Sequence, residues 1–159
     1  MLLYNRRKFI FLSLVAGGCS FSPVYKSDLG PGFLKGKIAL PTPNNRNDYM
    51  LYSKLEENFG QLENPVFNLS VSYSVTSKGL GSLGSITRYN LIGNANFRLV
   101  EISTNTLIIS DKLKTFTSYS ASSQTLATET AARAAQDRLM ASIADQISTS
   151  IIMNYNTDQ

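Results

Sequence analysis

The chain of 159 residues contains no histidine, no tryptophan and a single cysteine. Without histidine it lacks the commonest general base and the commonest metal ligand, which argues against a metal centre and against most acid–base catalysis. With one cysteine no disulfide can close within the chain, so a domain in an oxidising compartment must rest on its core alone. Carboxylates are few and scattered. Glu56 and Glu57 are adjacent and diverge on a helix, and no clustered pair is arranged for proton transfer. A serine–lysine dyad needs no nearness in sequence, so a hydrolase stays open as one reading, although no nucleophile motif accompanies it. Long apolar runs are missing too: residues 9–16 form a short one, far below the roughly twenty needed to cross a bilayer as a helix. The expectation is a protein that is not an enzyme and holds neither cofactor nor metal.

Charge is also sparse, at 16% of residues, with a formal net charge of +4. Arg6, Arg7 and Lys8 supply most of that excess, and the remainder is close to neutral. Nothing in it asks for nucleic acid.

What is present begins at the N-terminus. A cationic cluster (Arg6, Arg7, Lys8), a short apolar run and then small residues is the order of a secretory signal peptide. Ala16-Gly17-Gly18-Cys19 resembles the bacterial lipobox, in which small residues precede a cysteine that is lipidated and becomes the first mature residue. The usual leucine three residues before the cysteine is replaced by Ala16. An ordinary signal peptide with an incidental cysteine, or an anchor helix, is the alternative. Arg6-Arg7-Lys8-Phe9-Ile10 fits twin-arginine export as well as the general secretory route. The reading is residues 1–18 as signal peptide, Cys19 as lipidation site, 19–32 as tether, 33–154 as one domain and 155–159 as a tail. Ser20 after the cysteine, where enterobacterial lipoproteins retained in the inner membrane carry aspartate, points to the outer membrane.

Along the domain, residues 36–40 read as a short strand stopped by Pro41 and Pro43. Asp48 is placed to cap a helix running to about residue 59, with Tyr49, Tyr52, Leu55 and Phe59 as its apolar face. Residues 65–78 alternate cleanly: Phe67, Leu69, Val71, Tyr73 and Val75 on one side, serine, asparagine and threonine on the other. Residues 85–102 repeat this with Tyr89, Leu91, Ala95, Phe97 and Leu99, and 107–119 form a third long strand with an expected bulge near Asp111. The polar turn Ser103-Thr104-Asn105 makes the last two an antiparallel hairpin. Residues 122–154 predict a long helix with Leu139, Ile143, Ile147 and Ile151 on one face, Ala131 and Ala135 extending it, and Glu129, Arg133, Asp137 and Arg138 opposite. The order β-α-β-β-β-α predicts a single α+β domain, a four-stranded mixed or antiparallel sheet with two helices on one face.

Two motifs bear on function. Gly79-Leu80-Gly81-Ser82-Leu83-Gly84 spells the dinucleotide fingerprint, but it leads into a strand, and phosphate binding there needs a helix N-terminus. It reads instead as a flexible loop between strands. Lys112 and Lys114 share one side of the third long strand, and Arg88 and Arg98 lie on the outward side of the second. If the strands are neighbours, a cationic strip forms, suited to an anionic lipid headgroup or a phosphate-bearing sugar, or else serving to keep a sheet face soluble.

Cys19-Ser20-Phe21-Ser22-Pro23-Val24-Tyr25 resembles the C-G-F-x-P-L-Y start of alphaproteobacterial lipopolysaccharide-assembly lipoproteins, the LptE family, with Ser20 in place of the glycine. Arg88-Tyr89-Asn90-Leu91, Ala95-Asn96-Phe97-Arg98-Leu99 and Thr115-Phe116-Thr117-Ser118-Tyr119 are similar to that family's hairpin. Leu126-Ala127-Thr128 with Ala131-Ala132-Arg133-Ala134-Ala135 is similar to its closing helix. The resemblance implies an α/β sandwich acting as plug and assembly partner of an outer-membrane LptD-type β-barrel, lipid-anchored on the periplasmic side, in delivery of lipopolysaccharide to the outer leaflet. It also implies lipopolysaccharide contact by basic residues near a strand loop, carried onto Arg88; Arg98, Lys112 and Lys114 are further candidates from the cationic strip. No lysine stands beside Thr128, where some relatives have one. The competing expectation is a small envelope lipoprotein that binds lipid or peptidoglycan, or serves a transport system as an auxiliary subunit, without a barrel partner.

Overall fold

The computed structural model describes residues 32–82 and 85–155. The expected signal peptide, Cys19, most of the tether, the pair Leu83-Gly84 and the last four residues lie outside the described residues. The elements in chain order are β1 (Ile38–Ala39), α1 (Arg46–Phe59), β2 (Phe67–Ser82), β3 (Ser85–Glu101), β4 (Leu107–Ser120) and α2 (Thr125–Tyr155). The sheet runs β1-β2-β3-β4, with β1 parallel to β2 and the other pairs antiparallel. This is the α+β arrangement that the order of elements predicts.

Both helices lie on one side of the sheet. On that side Leu69 pairs with Leu99, which pairs in turn with Ile109, Val71 pairs with Phe97, and Tyr73 with Ala95, and these residues share one core with Leu51, Leu55 and Phe59 of α1. Leu139, Ile143, Ile147 and Ile151 of α2 are completely buried in it, at the i, i+4 spacing seen in the sequence. A neighbouring row, Met140, Ala144 and Ser148, is buried as well. Asn58 of α1 bonds Ser148 Oγ at 3.1 Å and Asp145 at 3.0 Å, so the two helices are joined by polar contacts at their rim. Gly93 sits beneath α2, where a Cβ would come within 3.0 Å of Ile143 Cδ1. Its missing side chain lets the helix approach β3 closely.

Several sequence expectations are corrected. The N-cap of α1 is Asn45, whose side chain accepts from the Asp48 backbone N–H; Asp48 lies one turn in. The buried face of α1 is Asp48, Leu51, Leu55 and Phe59, while Tyr49 is 63% exposed. Tyr73 reaches across from β2 to hydrogen-bond Asp48, which turns that side of the helix inward. The register break between β3 and β4 falls at Leu99/Val100, opposite Leu107 and Ile109, and not at Asp111. Strand β1 is only two residues long, because residues 32–37 form turns. The helix α2 begins three residues later than the sequence suggests, after a cluster in which Ser122 N–H bonds Thr128 Oγ1. Ala131, expected on the buried stripe, is half-buried.

The glycine-rich stretch, expected as a loop, is strand as far as Ser82. Gly79 to Ser82 belong to β2, paired through Gly79 with Tyr89 and through Ser82 with Ser85, so only Leu83 and Gly84 connect the strands. The hairpin therefore continues past the point where β4 ends, at Ser120 opposite Arg88.

Candidate functional site

Because strand side chains alternate, packing both helices on one face leaves the other bare. The register identifies that bare face: Asn68, Ser70, Ser72, Ser74, Thr76, Lys78 and Leu80 on β2; Arg88, Asn90, Ile92, Asn94, Asn96 and Arg98 on β3; Ser110, Lys112, Lys114, Phe116, Ser118 and Ser120 on β4. It is built of small hydroxyls and amides with cations among them. The carboxylates of these strands, Glu101 and Asp111, sit at positions of the helix side, opposite Phe67 and Phe97. Among the described residues no carboxylate from the strands lies on the bare face. Among the described residues, ion pairs occur elsewhere, between Arg46 and Asp137, Lys54 and Glu57, and Arg133 and Glu129, and none of these involves a cation of this face.

All four expected cations, Arg88, Arg98, Lys112 and Lys114, point from this face, but they do not form one strip. Arg98 pairs with Ser110, and Lys112 faces Asn96, so Arg98 and Lys112 are diagonal neighbours, about 7–8 Å apart at the backbone. Lys114 is the next outward residue on β4 and completes a cluster of three. Arg88 stands at the hairpin end, roughly 33 Å along β3 from Arg98. It has its own companion, Lys78, which faces Asn90 and is diagonal to Arg88. Lys78 was missed in the sequence because the glycines after it read as the start of a loop. Extending the alternation past Val75 would have placed it outward.

Between the two groups runs the rung Thr76–Ile92–Phe116. Phe116 is 72% exposed, an unusual position for a phenylalanine with no covering partner among the described residues. The face therefore carries cations at the hairpin end, an apolar step, then cations again.

The helix side is different in charge. A groove of about 770 Å³ runs between α2 and the β4 edge, lined in part by Leu113, Ala141 and Met153. Asp111, Asp145 and Arg138 also line it, so its charge is mixed, with two carboxylates to one guanidinium. No described helix is long and apolar enough to cross a membrane. No group of His, Cys, Asp and Glu that could hold a metal ion occurs among the described residues.

The fold and face define a class: a two-layer α/β domain with one bare, basic, hydroxyl-rich sheet surface. The family model described as lipopolysaccharide-assembly, LptE, matches residues 36–151, a span that takes in all the strands and α1 and nearly all of α2. The chain belongs to that family. No curated protein matches it in sequence. Among solved structures, a lipoprotein from Caulobacter crescentus CB15 is similar, with 18% identity and a TM-score of 0.64 over 78% of this chain and 93% of that one. A minor lipoprotein from Acinetobacter baumannii gives 24% identity and a TM-score of 0.54, covering 74% of this chain and 90% of its own. Rare lipoprotein B from Shewanella oneidensis gives 16% and 0.57, over 77% of this chain and 98% of its own. At such identities the likeness is one of fold.

Proposed function

We propose that this chain is an outer-membrane lipoprotein, held on the periplasmic side by lipid at Cys19, that works as plug and assembly partner of an LptD-type β-barrel in placing lipopolysaccharide in the outer membrane. The observation that carries this reading is the family match across the folded domain. The physical features support it. A plug needs a compact body and a polar outer surface that can face the polar lumen of a barrel, and the serine- and asparagine-rich sheet face supplies one. An anchor holds the domain beside its partner and raises their effective concentration. Lipopolysaccharide contact is assigned to the cations of the bare face, Arg88, Arg98, Lys112 and Lys114, which suit phosphate and share that face with no strand carboxylate among the described residues. The role needs no catalytic group, cofactor or nucleic acid.

Isolation of the native protein from membranes in mild detergent, with mass spectrometry of what accompanies it, tests the partnership. A near-stoichiometric large β-barrel retained at high salt is expected. Recovery of the intact lipidated protein with no barrel would instead favour a lipoprotein that binds lipid or assists transport alone.

A further inference from the structure

We infer that the groove between α2 and the β4 edge is the seat of this chain's own residues 20–31, which round the C-terminal end of α2 and lie along the groove as a strap. The inference goes beyond the barrel-plug reading and does not depend on it: it concerns how the anchored end of the chain is fastened to the domain.

Four observations lead there. First, the described chain begins beside the groove. Phe33 stacks on Tyr155 with 5.7 Å between ring centroids, and the groove's mouth is lined by Met153 and Asn154, the two residues before that tyrosine. A helix is about 10 Å across, and Gly30-Pro31-Gly32 is a turn sequence of the length needed to round its end. Second, the lengths agree. From Leu29 back to Phe21 an extended chain covers about 26 Å, and from Met153 to Arg138 the helix covers about 22 Å. Third, the chemistry agrees in order. With Leu29 at Met153, Lys26 falls at Asp111 and Asp145, and Tyr25 and Val24 fall at Leu113 and Ala141. Lys26 is the one cation of residues 20–31, and it meets the only two carboxylates that line the groove. Fourth, the sheet's two edges are unequal. At one edge β1 has two residues, whereas β4 at the other has fourteen and no strand beyond it among the described residues. A long bare edge invites pairing with foreign chains, and covering it is one way a fold prevents this. The trough is itself held in shape, because Ser142 bonds Thr115 and Ser150 bonds Asp111, each at 3.2 Å. Seated in this way, residues 20–31 are not a free tether of about 40 Å. Cys19 then leaves the body near Arg138, and lipid there turns the β4 edge toward the membrane.

The test is disulfide trapping in the Cys19→Ser chain, where introduced pairs are the only thiols. Tyr25→Cys is combined with Ala141→Cys in the groove, or with Tyr49→Cys in the hollow on the far side of α1 that Pro41, Tyr52 and Leu62 also line. Gln146, an exposed groove residue, supplies a second partner position if Ala141→Cys fails to fold. Under mild oxidation the groove pair is expected to close within one molecule in at least fivefold the yield of the Tyr49 pair. Lys26→Glu should lower the groove yield at least threefold. Amide hydrogen exchange gives an independent reading: deleting residues 20–31 should speed exchange in β4 around Leu113 at least tenfold and leave α1 unchanged. Equal yields at the two positions, or a higher yield at Tyr49, overturn the strap. So does exchange in β4 that the deletion leaves as it was. A groove disulfide found only between molecules, rising with protein concentration, assigns the groove to a second copy and also overturns the proposal. None of these outcomes bears on whether a barrel accompanies the native protein, so the two readings fail separately.

Discussion

The hydroxyl of Tyr73 in β2 donates to Asp48 Oδ1 in the first turn of α1 at 2.6 Å, across 25 residues of chain. Asp48 is only 7% exposed, and its other oxygen accepts from the Asn44 N–H at 3.0 Å. A buried carboxylate is costly unless hydrogen-bonded. Here the bond from Tyr73 is the main influence holding the Asp48 pKa below its usual 3.8, against burial, which raises it, with the Asn44 and Asn45 bonds assisting. Burial, and then the bond to Asp48, push the Tyr73 phenol up to about 12. The pair fixes where the N-terminal end of α1 meets the sheet.

The sign of the resulting pH dependence differs at the two ends of the scale. Between the lowered folded pKa of Asp48 and 3.8, the unfolded chain binds the extra proton, so this contribution to stability is lost as pH falls through that window. Between the ordinary 10.0 and about 12, the folded chain keeps the Tyr73 proton that the unfolded chain has released, so stability declines as pH rises. Tyr73→Phe should cost about 2 kcal/mol at pH 7, the range for a hydrogen bond to a charged group. It should also flatten the alkaline decline and shrink the acid loss, because without that bond the Asp48 pKa is no longer held as far below 3.8. Urea unfolding across a pH series measures all three. An unchanged alkaline slope in the variant would assign that slope to other tyrosines.

Gly93 makes a second, independent test of the packing. A Cβ there would lie 3.0 Å from Ile143 Cδ1 and 3.3 Å from Leu139 Cδ2, both ends of flexible side chains. Gly93→Ala should therefore cost about 1 kcal/mol, and Gly93→Val, which cannot be accommodated by small rotations, about 3 kcal/mol. Thermal and urea unfolding should rank them in that order. A neutral valine variant would mean that α2 stands further from β3 than the structure has it.

Much of this architecture was legible in the sequence, for a specific reason. A sheet covered on one face writes a period of two into β2 and β3, and a helix on that sheet writes Leu139, Ile143, Ile147 and Ile151 at spacing four. The phase of α1 was not legible. Its large residues Tyr49 and Tyr52 suggested one face, but Tyr73 draws Asp48 inward, and that partner is invisible to any local window. The candidate site was half legible. Parity put Lys112 and Lys114 on one side, but the union of Arg98 with them, and the distance of Arg88 from both, depend on the β3–β4 register. Lys78 was hidden by glycines that look like a loop and pair as a strand.

The long stripe of α2 separates core from surface within one helix. Ile143 is fully buried, whereas Leu126, on the first turn, is 77% exposed. Ile143→Ala should cost about 2–5 kcal/mol, through lost transfer energy and a residual cavity. Leu126→Ala should stay within about 0.5 kcal/mol. Urea unfolding of the two variants checks the contrast. A large effect at Leu126 in membranes but not in the purified protein would identify it as an interface residue.

Cys19 is expected to bear on location and not on folding. It lies outside the described residues, whose own buried core runs from Leu34 to Ile151. A single acyl chain binds a membrane only marginally, while two or more hold stably. Cys19→Ser should thus release the protein from the membrane fraction with its unfolding midpoint unchanged. Fractionation with detection of the protein in each pool, followed by urea unfolding of the soluble variant, reads the two effects separately. Loss of cooperative unfolding in the released variant would show that the segment before Gly32 contributes to the fold. Retention in the membrane would show that another anchor acts, and the cations of the bare sheet face, at Lys78, Arg88, Arg98, Lys112 and Lys114, would be the first to remove.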